Sequence, residues 1–243
     1  MEQFGLSNKN ILITGASSGI GNAIASSVDK AGGSVFITGR SEERLKMTIN
    51  TLGSPNNSSF VADLTDEKTI NQLVDELPIL NGIVHSAGIT THMPARFLRK
   101  ADFEKLYNIN FLVPVMLTAR ILKKKKLASG GSIVFISSLG AKHPYFGGSM
   151  YRSSKSAIES YSQTLALELA PGKIRSNCLS PTFVKTPMVE GASQTISEEA
   201  MEEFDKNSLL GFGQPDDVAN AAIFLLSDAA RWISGANIPL GGY

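Results

Sequence analysis

Short apolar runs alternate with amphipathic segments along the whole of this 243-residue chain. Seven runs read as strands, at 11–14, 34–38, 59–62, 82–85, 132–137, 174–179 and 236–240. Several are apolar at consecutive positions. That is the pattern of a parallel strand covered on both faces, since a strand with one face in water alternates. Between them a period near 3.6 predicts helices over 19–31, 42–52, 67–77, 101–127, 150–169 and 215–226, with Ser41 and Asp66 as N-caps. Alternating β and α elements predict one α/β domain over 1–243, a mostly parallel seven-stranded sheet with helices on both faces and right-handed crossovers. No linker, repeat or low-complexity segment interrupts it. The stretch 187–213 carries no strand, and its middle, 197–206, reads as a short helix capped by Ser197. Such an excursion is either a surface insertion or a substrate lid, and its position favours the lid.

Composition mostly excludes. A net charge of +1 provides no field to attract nucleic acid or a membrane surface. The single cysteine, Cys178, rules out a disulfide framework and a Cys-rich metal site and fits a reducing compartment. The opening residues lack a signal-peptide pattern and no apolar run is long enough for a bilayer, so the expectation is a cytoplasmic protein. His85, His92 and His143 show no ligand spacing and read as structural or rim residues, and no metal is expected.

The chemistry begins at Thr14-Gly15-Ala16-Ser17-Ser18-Gly19-Ile20-Gly21. Strand, glycine turn and helix in that order form the dinucleotide-binding context of a Rossmann fold. Gly15 allows the tight turn, Gly19 lets a phosphate approach the backbone, and Gly21 lets the helix lie close to the sheet. A pyrophosphate would sit on unpaired N–H groups at the positive helix end, among Ser17, Ser18 and Ile20.

Tyr151 and Lys155 are four apart in a helical segment and so share a face. An ammonium beside a phenol lowers the phenol pKa and suits it to proton transfer, although this spacing alone usually marks only a helix surface. Ser137 and Ser138 follow the fifth strand, at the carboxyl end where open α/β sheets bind ligands. A serine there either polarises a carbonyl or caps a turn. Asn110 falls inside the long predicted helix, where asparagine is a poor former, and reads as a kink, a water site, a functional contact or a satisfied core amide.

Thr14–Gly21, Asn110, Ser138 and the Tyr151-to-Lys155 spacing, in this order, resemble the short-chain dehydrogenase/reductase family, branch of about 250 residues, over essentially the whole chain. The resemblance implies that Tyr151 is the general acid in reduction and base in oxidation. Lys155 would tune Tyr151 and hold the nicotinamide ribose, Ser138 would polarise the carbonyl, and Asn110 would hold a relay water. It further places Asp63, with Leu64, at the adenine, Ser86, Ala87 and Gly88 under the adenosine ribose, and Pro181, Thr182, Val184 and Thr186 at the nicotinamide.

After the second strand Gly39 takes the place of the acidic residue that selects NAD, and Arg40 and Ser41 follow. A guanidinium suits a 2′-phosphate, so NADP(H) is expected in preference to NAD(H). Two departures from the family pattern bear on the local backbone. Ser86 replaces an amide that bridges strands, and Thr182 stands where a glycine of positive φ is common. The tail from Gly211 to Gly242 resembles that of 3-oxoacyl-[acyl-carrier-protein] reductases, and is shared by sugar and small-alcohol enzymes. The partner is thus a small carbonyl or alcohol, free or carrier-bound; a non-catalytic cofactor-binding protein is the remaining alternative. Lys123–Lys126 reads as a carrier-docking patch or as a solvated helix end. Tyr145, Phe146 and Met150 are expected to wall the substrate site. The family resemblance implies a homotetramer packed through helices 101–127 and 150–169, with the pattern Ile158, Tyr161, Leu165 and Leu169 compatible with either an interface or the chain's own core.

Overall fold

A computed structural model of the chain describes residues 2–189 and 209–242. The strands are β1 (Asn10–Thr14), β2 (Ser34–Gly39), β3 (Ser58–Val61), β4 (Leu80–His85), β5 (Leu127–Ile136), β6 (Arg175–Pro181) and β7 (Asn237–Leu240). They form one seven-stranded sheet in the order β3-β2-β1-β4-β5-β6-β7, and every neighbouring pair is parallel. The described helices are α1 (Gly19–Lys30), α2 (Glu42–Asn50), α3 (Glu67–Glu76), α4 (Lys100–Tyr107), α5 (Val113–Lys123), α6 (Ser149–Glu168) and α7 (Pro215–Leu226). Strand order reverses between β1 and β4, which opens a crevice at their carboxyl ends.

The continuous apolar runs have a direct physical outcome. Ile11, Ile13, Val84 and Val134 pack against α1 and α7 on one face, through Ile24, Val28, Val218 and Leu225. Leu12, Ile83, Ile133 and Phe135 point the other way, onto α3, α5 and α6 through Leu73, Leu117, Ile121 and Ile158. Successive residues alternate faces, and both faces are core. Ser41 and Asp66 cap α2 and α3 by accepting from the Arg44 and Lys68 N–H groups.

The helix expected over 101–127 is corrected. It divides into α4, a π turn at Asn108–Leu112, and α5, and the chain is already strand at Leu127. Pro114 accounts for the break: an α-helical turn there needs an N–H for the Asn110 carbonyl, and proline has none. The lysine run ends the helix. Lys125 turns at φ 54°, Lys124 pairs with Asp75 at 2.9 Å, and Lys126 donates to the Leu77 carbonyl. Ile158 and Leu165 are buried in the chain's own core, with Tyr161 and Leu169 packed against it, so this stripe serves intrachain packing. The helix expected over 197–206 lies outside the described residues. Among those residues no helix is long and apolar enough to cross a membrane.

Candidate active site

A cleft of about 350 Å³ opens at the carboxyl ends of β1, β2, β4, β5 and β6. At one end lies the glycine turn. Gly15 adopts φ 67°, and a Cβ on it would stand 2.7 Å from the Ala87 Cα. A Cβ on Gly21 would stand 2.5 Å from the Gly15 carbonyl oxygen, so any side chain would push α1 off the strand end. Ser18 is the extended N-cap of α1, but its hydroxyl makes no capping bond, which leaves the first-turn N–H groups without a side-chain partner. Beside this turn the Thr14 hydroxyl accepts from both the Ser86 and Ala87 N–H groups at 3.2 Å. That tie holds the loop where the Ser86 side chain cannot bridge strands.

Arg40 is exposed at the end of β2 and lines the same cleft with Arg44 and Asp63. Thr65 holds the Asp63 carboxyl below the usual carboxylate range through side-chain and backbone bonds, and the Arg40 charge adds to this. Ser41, expected at the cofactor, instead spends its hydroxyl on capping α2 and is not among the cleft residues. Leu64, Ser17, Gly19, Ile20, Gly88, Pro181, Val184 and Thr186 do line the cleft. Thr182 also lines it, without positive φ; its hydroxyl packs on Gly241, at φ 96°, where a Cβ would lie 2.1 Å away. These features fit a dinucleotide phosphate: a glycine cradle that a Cβ would fill, uncapped helix N–H groups, and a guanidinium at the far end.

At the other end Ser138, Tyr151 and Lys155 meet. The Ser138 oxygen accepts from the Gly140 N–H at 3.1 Å, which fixes the turn after β5. Arg152 supports that turn by donating to the Gly140 and Ala141 carbonyls at 2.7 and 3.2 Å. Lys155 is buried, donates to the Ile136 carbonyl at 2.8 Å, and holds its Nζ 5.7 Å from the Tyr151 ring centre. Burial pushes the Tyr151 phenol above its ordinary value, opposed by a hydrogen bond with Ser138. The expected net lowering of the phenol is therefore corrected: desolvation dominates there and outweighs the opposing contributions. Burial also brings Lys155 down to about 8.

Asn110 stands behind this group. In the π turn its Oδ1 accepts from the Ile89 N–H at 2.8 Å, while Nδ2 donates to the Ile89 carbonyl at 2.9 Å and to Ser154 Oγ at 3.2 Å. A Cβ on Gly88 would meet both Asn110 Oδ1, at 3.4 Å, and Lys155 Nζ, at 3.6 Å, so the amide and the ammonium flank one glycine. The expected wall of Tyr145, Phe146 and Met150 is corrected, since none of the three is among the cleft residues. Met150 is buried, Phe146 is 76% exposed, and Tyr145 stacks with His92 at 6.1 Å. His85 is interior, 2.8 Å from the Thr118 hydroxyl and stacked on Phe135.

Residues 15–243 match the family model described as Enoyl-(Acyl carrier protein) reductase. The 3-oxoacyl-[acyl-carrier-protein] reductase FabG of Rickettsia felis is 33% identical over 237 residues, 98% of this chain and 97% of that one. The chain belongs to the short-chain dehydrogenase/reductase family. L-xylulose reductase of Caenorhabditis elegans is 31% identical over 98% of this chain and 96% of its own length. The Brucella melitensis structure described as a short-chain dehydrogenase/reductase, glucose/ribitol dehydrogenase, superposes with TM-score 0.90 at 30% identity, covering 99% of this chain and 98% of that one. Nicotinamide-dependent oxidoreduction is thus the family chemistry of this short-chain dehydrogenase/reductase. Its fold is the doubly wound one that the motif order predicts. Sequence reasoning passed over Thr14, Arg44, Ser154 and Glu159. Only Thr14, inside the glycine motif, and Glu159, one turn past Lys155, carried a positional signal.

Proposed function

We propose that this short-chain dehydrogenase/reductase reduces a ketone to the hydroxy compound with NADPH, a 3-oxoacyl thioester being the fitting substrate class. The convergence of Ser138, Tyr151 and Lys155 at one end of a cleft whose other end carries Arg40 supports the reading above any other observation. Bound NADPH supplies the hydride to the carbonyl carbon. Ser138 donates a hydrogen bond to the carbonyl oxygen and stabilises the charge that develops there. Tyr151, protonated at neutral pH as any phenol is and held above its ordinary value by burial, gives its proton to that oxygen, which suits the reductive direction. Lys155 supplies positive charge beside the resulting phenolate, and Asn110 holds the Ile89 backbone against this group. Arg40 grips the 2′-phosphate and favours NADP(H) over NAD(H).

The FabG relative supports the thioester substrate. The relatives named for L-xylulose and glucose/ribitol support a second reading, a sugar or small-alcohol dehydrogenase. Lys123–Lys126 does not favour a carrier dock. Two of the four lysines are bound to the α3 end, and the run lies at the amino edge of the sheet, about 20 Å from the site by the register of β5 on β4. A cytoplasmic homotetramer completes the proposal. The test is NADPH oxidation with an acetoacetyl thioester, free and carrier-bound, beside a panel of ketoses. Turnover confined to ketoses selects the second reading, and no NADPH turnover with any ketone refutes both.

A further inference from the structure

Glu159 lies one turn beyond Lys155 on the buried side of α6. Its Oε1 accepts the Ser137 hydroxyl at 2.7 Å and the Ser180 hydroxyl at 3.0 Å. A carboxylate has no proton to give, so both serines donate to it. Ser180 Oγ also lies 2.6 Å from Asn237 Oδ1, while Asn237 Nδ2 is buried without a partner. With that amide turned over, Nδ2 donates to Ser180 Oγ and the Ser180 proton is left to Glu159.

The chain positions of these groups give the cluster its meaning. Ser137 directly precedes Ser138 at the end of β5. Ser180 directly precedes Pro181 and Thr182, where β6 enters the cleft. Ser137 Oγ is also 3.4 Å from the Lys155 carbonyl. One carboxylate on the helix that carries Tyr151 and Lys155 therefore ties down the two strand ends that face them.

We propose that Glu159 is a positioning residue of this reductase: its carboxylate holds Ser138 and the segment 181–186 in register with Tyr151, and it sets a negative charge one helical turn from the Lys155 ammonium. The proposal rests on the ketoreductase reading above. The groups facing Lys155 and Glu159 are the Tyr151 phenol on α6, the Cys178 thiol on β6, and more remotely the Lys142 ammonium after β5; the π turn contributes the neutral Asn110 amide. Burial draws Lys155 down to about 8 and the Glu159 carboxylate acts against it, while Cys178, pushed up to about 12 by burial, is still a neutral thiol there. Lys155 therefore titrates close to working pH, where the loss of one nearby negative charge is visible.

The test compares Glu159→Gln, which keeps the shape and loses the charge, with Ser180→Ala, which keeps the charge and loses one tether. Two profiles against pH are read: kcat/KM with NADPH and a ketone, and NADPH affinity by fluorescence. Glu159→Gln is expected to move the alkaline limb of both down by roughly one pH unit. Ser180→Ala is expected to lower kcat about three- to tenfold while leaving the limb in place. A Glu159→Gln limb that coincides with wild type overturns the charge role, and an unchanged kcat in Ser180→Ala overturns the tether. If Glu159→Gln does not fold, Glu159→Asp keeps the charge: an unmoved limb with lowered kcat supports the proposal, and a shifted limb contradicts it. If the wild type turns over no ketone, the function reading fails by itself, and the limb is still read on NADPH affinity, which needs no turnover.

Discussion

Replacing Asn110 by alanine removes three hydrogen bonds, to the Ile89 N–H, the Ile89 carbonyl and Ser154 Oγ. The serine loses little, because its hydroxyl still donates to the Tyr151 carbonyl at 2.7 Å. Ile89 loses more. Its N–H and its carbonyl sit against a side chain that is 2% exposed, and the methyl group of alanine can satisfy neither. An unsatisfied buried polar group costs about 1–3 kcal/mol. Because Ile89 is half-buried, the lower half of that range applies to each group, and the total is about 2–4 kcal/mol. A chain of this size loses about 2–4 °C of melting temperature per kcal/mol, so Asn110→Ala is expected to melt roughly 5–15 °C lower. Asn110→Asp fares no better at neutral pH, since it sets a carboxylate against the Ile89 carbonyl. The assay is differential scanning calorimetry at one fixed protein concentration, because self-association would make the transition concentration-dependent. Ser154→Ala, which removes the Asn110 contact and the serine's own bond to the Tyr151 carbonyl but leaves both Ile89 groups paired, serves as the control and falls between wild type and Asn110→Ala. An Asn110→Ala transition within about 2 °C of wild type would refute the clamp and leave the π turn without an energetic role.

Arg40→Ala is expected to raise the KM for NADPH roughly ten- to hundredfold, the worth of one charge-assisted contact, while the KM for NADH barely changes. Equal changes for the two cofactors would show that Arg40 does not read the 2′-phosphate. His85 gives a pH prediction with a definite sign. Burial holds it near 3 in the folded chain against about 6.5 unfolded, so below about 6.5 the unfolded chain binds a proton that the folded chain refuses. Stability is therefore full above about 6.5 and falls as pH drops toward 3. Between pH 7.5 and 5 urea titrations should show about 2 kcal/mol more loss in wild type than in His85→Gln, and parallel curves would remove this contribution.

The parallel direction of the strands was legible because parallel strands buried on both faces leave continuous apolar runs, and residues such as Leu12 and Ile13 fill opposite layers. The helix of 215–226 was legible to the residue, because Pro215 and the Gln214–Asp217 capping box mark its start. The first half of β5 was not. Three of the five residues in Leu127–Gly131 are glycine or serine, and the segment pairs with β4 only across a register irregularity. Nor was the π turn, although Pro114 stood in the middle of the predicted helix and its missing N–H was a sufficient signal. In the site, motif spacing identified the residues that line the cleft, because they occupy fixed points at strand ends and on one helix face. What escaped is set by contacts between distant segments: Thr14 tying Ser86, and Glu159 bridging β5 and β6. The direction of the Tyr151 shift escaped for the same reason, since spacing reports a nearby lysine but not how deeply the phenol is buried.

The most direct test of the account is the steady-state rate of NADPH oxidation with an acetoacetyl thioester, measured side by side for wild type and Tyr151→Phe, with NADPH affinity determined for both. The account predicts wild-type turnover, a loss of about a hundredfold or more in the variant, and unchanged NADPH binding. Equal turnover in the two proteins would contradict proton donation by Tyr151 and with it the proposed reductase mechanism.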